Sequence, residues 1–128
     1  MTMKEGSILG LGTDIIEIAR IQESIARHGQ HFLDRLFTHQ EQEYCLKYKE
    51  AAPHFAGRFA AKEAVAKALG IGFGTKLSWL DFEILGDEYN KPTVHFTVEA
   101  QKRLHQPKIA VSISHSATAA TAVAIWFS

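Results

Sequence analysis

Hydrophobic and polar positions along this chain fall into blocks whose spacing changes from one block to the next. Ile8 to Ile16 is a short apolar run, interrupted by Gly10 and Gly12, and reads as a buried strand. From Glu17 to about His28, Ile18, Ile21 and Ile25 recur at helical spacing while Arg20, Glu23 and Arg27 occupy the polar side, and Gly29 stops the pattern. Thr38 followed by Glu41 has the form of a capping box, which opens a second helix to about Lys49 with Tyr44 and Tyr48 one turn apart. Pro53 marks the break after it, and a third helix runs from about His54 to Leu69 with Phe55, Phe59, Ala66 and Leu69 as its apolar stripe.

The pattern then changes to period two. Gly70, Gly72 and Gly74 make a flexible loop, Trp79 to Leu85 reads as a strand, Gly86 to Pro92 as a turn and Thr93 to Phe96 as the returning strand of a hairpin. After an amphipathic segment from Val98 to His105, Ile109, Val111 and Ile113 alternate with small or polar residues in a strand from Lys108 to Ser114, and Ala119 to Phe127 closes the chain as another. This order predicts an α+β fold, one small domain over residues 1–128 with antiparallel strands packed against helices.

Composition narrows the function classes. With 128 residues and 46% hydrophobic content the chain suits one core. Fourteen basic residues balance fourteen acidic ones, which argues against general binding to nucleic acid or to an anionic membrane. Cys45 is the only cysteine, so an intrachain disulfide and a multi-cysteine zinc site are both excluded. The first residues, Met1 to Ser7, include Lys4 and Glu5 and precede too short an apolar run for a signal peptide or a membrane span, so a cytoplasmic protein is the expectation.

Several polar residues stand out against this background. Asp14 sits where an apolar run should continue, and it reads either as a metal ligand or as the cap of the helix that follows. Arg58 and Lys62 share a helical face, a repulsive arrangement that an anion between them would relieve. Glu63 either adds a second hard carboxylate beside Asp14 or pairs with Lys67 one turn on. Ser112, Ser114, His115 and Ser116 gather at a strand end, where they can donate to phosphate oxygens, and no Gly-x-Ser-x-Gly elbow surrounds them. The glycine series is neither a P-loop nor a dinucleotide fingerprint.

Together, Gly10-Leu11-Gly12-Thr13-Asp14-Ile15, Arg20-Ile21, Phe55-Ala56-Gly57-Arg58-Phe59-Ala60-Ala61-Lys62-Glu63-Ala64 and Val111-Ser112-Ile113-Ser114-His115-Ser116 closely resemble the holo-acyl-carrier-protein synthase family in order and spacing. The resemblance covers nearly the whole chain, departing at Ile71 in the glycine loop, at Asn90, where glycine is usual before Lys91-Pro92, and at Ala117-Thr118, which replace a frequently more polar stretch. It implies transfer of 4'-phosphopantetheine from coenzyme A to a serine of an apo acyl carrier protein, a step of fatty acid biosynthesis, with Asp14 and Glu63 binding magnesium. It implies that Lys62 joins them in catalysis, that Arg58, Lys62, Ser112 and His115 recognise coenzyme A, and that Arg20, with Arg27 along the same face, receives the acidic carrier. It further implies a homotrimer with active sites at subunit interfaces. The base that takes the serine proton stays open among Glu63, a metal-associated water and another group. A metal-dependent phosphohydrolase and a non-catalytic coenzyme A or carrier-binding module are the competing readings.

Overall fold

The computed structural model describes residues 6–128; Met1 to Glu5, the beginning of the polar N-terminal stretch, lie outside the described residues. The first strand, β1 (Ile8–Glu17), runs directly into α1 (Ile18–His28), followed by α2 (Gln30–Leu36), α3 (His39–Leu46) and the long α4 (Ala52–Leu69). A 3-10 turn (Trp79–Asp81) leads into the hairpin β2 (Phe82–Gly86) and β3 (Pro92–Phe96), and α5 (Val98–Arg103), β4 (Lys108–His115) and β5 (Ala119–Phe127) complete the chain. β1, β5 and β4 form an antiparallel sheet with β5 in the centre, while β2 and β3 pair separately, so the α+β expectation holds. Among the described residues no helix is long and apolar enough to cross a membrane.

The packing of α4 on the sheet explains the two glycines of β1. A Cβ on Gly10 would lie 1.9 Å from the Ala68 carbonyl oxygen, and one on Gly12 would lie 2.0 Å from that of Ala64. Only glycine lets strand and helix backbones approach this closely, and the alanines of α4 supply the matching small side chains. On the same sheet face Ala120, Ala122 and Ala124 of β5 are buried beneath the helix. α4 is therefore buried on nearly every side. Phe55, Ala56, Ala60, Ala61, Ala64 and Val65 are all at most 1% exposed, so the single apolar stripe read from the sequence understates how central this helix is.

The opposite face of the sheet stays open, with Leu11 64%, Ile15 71% and Val123 37% exposed. Sequence reading placed no element between Gly29 and Thr38, where α2 forms behind Gly29 and buries Leu33 and Leu36. The Thr38 capping box is present as expected, with Glu41 N–H donating to the Thr38 hydroxyl and Thr38 N–H to the Glu41 carboxylate. The expected strand from Trp79 starts three residues late because Ser78 and Asp81 form a second capping box, which turns Trp79–Asp81 into a 3-10 helix.

Candidate active site

Asp14 lies on the α4-facing side of edge strand β1, and α4 brings Glu63 and Lys67 to it. Lys67 Nζ is 3.3 Å from Asp14 Oδ1 and donates to the Thr13 carbonyl at 2.9 Å. Glu63, half-buried, is pushed up from its ordinary carboxylate range first by burial and then by the Asp14 charge, with Lys67 acting in the opposite direction. Asp14 does not cap α1: the N-cap position is Glu17, without a side-chain hydrogen bond, and the Ile18 amide bonds the Thr118 carbonyl at 2.9 Å. Two carboxylates held together beside one lysine are suited to a hard divalent cation. Magnesium takes one or two protein carboxylates and completes its shell with water and substrate phosphate. The donor set of Asp14 and Glu63 fits that requirement, although no group of three acidic, histidine or cysteine ligands occurs among the described residues.

Lys62 takes a different place from the one expected of a phosphate ligand. Its side chain is wholly buried, 2.7 Å from the equally buried Glu41, and its ammonium also donates to the Leu36 carbonyl at 2.9 Å and the Trp79 carbonyl at 2.7 Å. All three ammonium protons thus have protein acceptors. Glu41 receives the Thr38 and Ile84 amides as well. Burial pushes Glu41 up and Lys62 down, and their mutual attraction opposes both shifts. One residue along α4 from Glu63 the helix surface has turned inward, so Arg58 and Lys62 are both buried and do not share a solvent-facing surface.

A second polar cluster forms where the N-terminal end of α4 meets α3, the hairpin turn and the end of β4. Arg58, only 5% exposed, stacks 4.0 Å from the Tyr44 ring centroid and donates to the Ile84 carbonyl. His54 stacks on Tyr48 with centroids 3.5 Å apart and meets the ring of His115 edge-on at 6.0 Å. His54 is held below its ordinary value by burial first and then by the positive Arg58 and by His115. Asn90 accepts from Tyr44 and donates to Tyr48 while adopting a left-handed φ of 64°. Asparagine is one of the few non-glycine residues that tolerate this region, which accounts for its standing where glycine is usual.

The other expected residues lie apart. Ser112 pairs with Val123 on the open sheet face, opposite to Asp14, where it lines a shallow depression with Thr13, Ser114 and Thr121. Arg20 lines a surface groove with Ile15, Glu17 and Thr118, and Arg27 makes an exposed 3.6 Å pair with Glu23. Sequence reasoning did not assign Lys67, Tyr44 or His54 to a site. Lys67 had a readable signal, since it lies four residues beyond Glu63 on the same helical face.

The family pattern of the 4'-phosphopantetheinyl transferase superfamily matches residues 10–124. This chain belongs to that superfamily. It is 55% identical over 120 residues to the holo-[acyl-carrier-protein] synthase of Protochlamydia amoebophila (strain UWE25), covering 94% of this chain and 98% of the relative. Among solved structures, the holo-[acyl-carrier-protein] synthase of Helicobacter pylori in complex with coenzyme A superposes with a TM-score of 0.82 at 37% identity, covering 91% of this chain and 98% of that one. The synthase from Neisseria meningitidis superposes with a TM-score of 0.88 at 30% identity, covering 95% and 100% respectively. Within the superfamily chain seen here, the Asp14, Glu63 and Lys67 group sits at the junction of the two glycine-contacted elements, β1 and α4.

Proposed function

We infer that this chain transfers 4'-phosphopantetheine from coenzyme A to a serine of an apo acyl carrier protein, giving the holo carrier and adenosine 3',5'-bisphosphate. The observation that carries the residue assignment is the convergence of Asp14 and Glu63 from strand and helix, with Lys67 bridging to Asp14. Residues 1–128 act as one synthase domain in the cytoplasm, serving fatty acid biosynthesis.

Asp14 and Glu63 would hold magnesium, which when bound supplies positive charge against the pyrophosphate of coenzyme A. Lys67, more than half exposed, adds a cation that can turn from Asp14 to a substrate phosphate. Arg58 and His115, joined by His54, offer further positive or proton-donating groups to the nucleotide end of the substrate. The hydroxyl of the carrier serine attacks the phosphorus that bears pantetheine, a new P–O ester bond forms, and the anhydride P–O bond to the nucleotide breaks. The serine proton passes to a base that stays open, Glu63 being one candidate, held by burial toward a basicity suited to the task. Arg20, exposed beside a groove on α1, and Arg27 further along the helix receive the acidic carrier.

A homotrimer with sites between subunits follows from the same reading. Its support is the open apolar sheet face and the position of Ser112 on that face, where it could serve a site only together with another copy of the chain.

The test is intact mass of a purified apo acyl carrier protein after incubation with this protein, coenzyme A and magnesium, with a chelator control. Gain of one phosphopantetheine, abolished by chelation, is the expected result. No gain on a carrier that a known synthase modifies would reject the transferase reading.

A further inference from the structure

The polar cluster at the N-terminal end of α4 is rich in cationic groups and poor in carboxylates. Arg58 is only 5% exposed, and its Nε donates to the Ile84 carbonyl at 3.4 Å, the one hydrogen bond it makes among the described residues. None of the ion pairs among those residues includes Arg58, His54 or His115. A buried guanidinium with most of its N–H groups unmatched is costly unless an anion completes it. The protein thus supplies the cations of a phosphate site and leaves the anion to a ligand.

A closed triangle of side chains holds these cations. Tyr44 O–H donates to the Asn90 carboxamide oxygen, the Asn90 amide donates to the Tyr48 hydroxyl at 3.3 Å, and Tyr48 O–H donates to the Tyr44 hydroxyl at 3.1 Å. Each member gives one proton and takes one, so the bonds polarise one another. Gly86 clears the space, since a Cβ there would lie 2.8 Å from Asn90 Oδ1 and 3.2 Å from Tyr44 Cε2. The two rings carry the cations, Arg58 4.0 Å from the Tyr44 centroid and His54 stacked on Tyr48. Glycine could adopt the φ of 64° found at Asn90 but could not close the triangle. The turn itself does not depend on the Asn90 side chain, because Asp87 Oδ1 accepts the Tyr89 and Lys91 amides at 2.8 Å each.

We propose that Tyr44 is a positioning residue for coenzyme A: its ring, locked by Asn90 and Tyr48, aims the Arg58 guanidinium at a phosphate of the nucleotide end. This rests on the transferase reading and names what orients one of its phosphate-binding groups.

The test compares the unaltered chain with Tyr44→Leu, Tyr44→Phe, Asn90→Gly and Arg58→Met, and with the pairs Tyr44→Leu/Arg58→Met and Tyr44→Phe/Asn90→Gly. Calorimetry with coenzyme A, transfer rates with each substrate varied and the melting temperature are read for each. Loss of a desolvated contact between cation and ring makes Tyr44→Leu bind coenzyme A about tenfold more weakly. The kcat and the KM for carrier stay within about twofold. Tyr44→Phe and Asn90→Gly keep the ring and break the triangle, so each loses about threefold, and their combination loses no more than either alone. In the Arg58→Met background Tyr44→Leu weakens binding no further. An unchanged coenzyme A affinity in Tyr44→Leu, with or without a lower melting temperature, makes the ring packing only and overturns the proposal. A full tenfold loss in the Arg58→Met background overturns it too, as does a parallel loss in kcat and both KM values. If the unaltered chain binds coenzyme A but transfers nothing, the transferase reading fails while the affinities still decide the role of Tyr44; if it binds none, the proposal fails as well.

Discussion

Replacing Lys62 by methionine separates two roles that the sequence cannot tell apart. If Lys62 were a solvent-facing phosphate ligand, Lys62→Met would leave stability alone and weaken coenzyme A binding. The geometry predicts the reverse order of effects, because the ammonium is buried against Glu41 at 2.7 Å and serves the Leu36 and Trp79 carbonyls. Removing one partner of a buried pair leaves an uncompensated charge and costs about 3–5 kcal/mol, whereas replacing both partners by apolar groups is often near neutral. The four backbone groups now bound by the pair would lose their partners in Lys62→Met/Glu41→Met, so the double variant recovers only part of the loss. Urea unfolding followed by circular dichroism reads both variants. The pH dependence gives a second check: without the ammonium, burial drives the Glu41 carboxyl further above its unfolded value. A carboxyl raised in the folded state destabilises in full above its folded pKa and progressively less as pH falls from there toward its unfolded value, so the deficit of Lys62→Met shrinks as the solution is acidified. A single variant as stable as the parent, with a selective loss of coenzyme A affinity, would refute the structural role.

Four further substitutions probe the site and its support. Asp14→Asn and Glu63→Gln, near-isosteric and fold-preserving, each lower metal-dependent transfer by at least about a hundredfold, and near-normal turnover in both would remove them from the metal site. Gly12→Ala places a methyl group 2.0 Å from the Ala64 carbonyl oxygen, a backbone atom that cannot swing aside. It is expected to lose about 1–3 kcal/mol or more and to reduce transfer by prising β1 from α4; a melting temperature within a degree or so of the parent's would show that the elements slide freely. Arg20→Glu raises the KM for carrier and leaves that for coenzyme A unchanged, with the effect fading at high salt, and a salt-independent loss would count against an electrostatic dock.

What could be read from the sequence was what depends on neighbours along the chain. β4 and β5 were legible because small and branched residues alternate with period two, and the start of α3 because Thr38 and Glu41 are local partners. The family motif made Asp14 and Glu63 legible as a pair, and the structure adds the reason they meet: glycines in β1 and alanines in α4 remove the side chains that would hold strand and helix apart. The short helix α2 was illegible because Gly29 reads as a stop signal when its role is to turn the chain between two helices, at φ 54°. Lys62 was misplaced for a deeper reason. On a helix with one exposed face a lysine is expected to point outward, but α4 is enclosed by the sheet on one side and by α1, α3 and the hairpin on others, and only that enclosure makes a buried lysine necessary. Its partner was hidden by its own legible role. Glu41 satisfies one carboxylate oxygen with the Thr38 cap and Lys62, and turns the other to the Ile84 amide of β2, so a residue that looks complete as a cap also ties α3, α4 and the hairpin together. A local motif therefore tells where a helix begins without telling what else its side chains hold, and the second function appears only when distant segments close around the first.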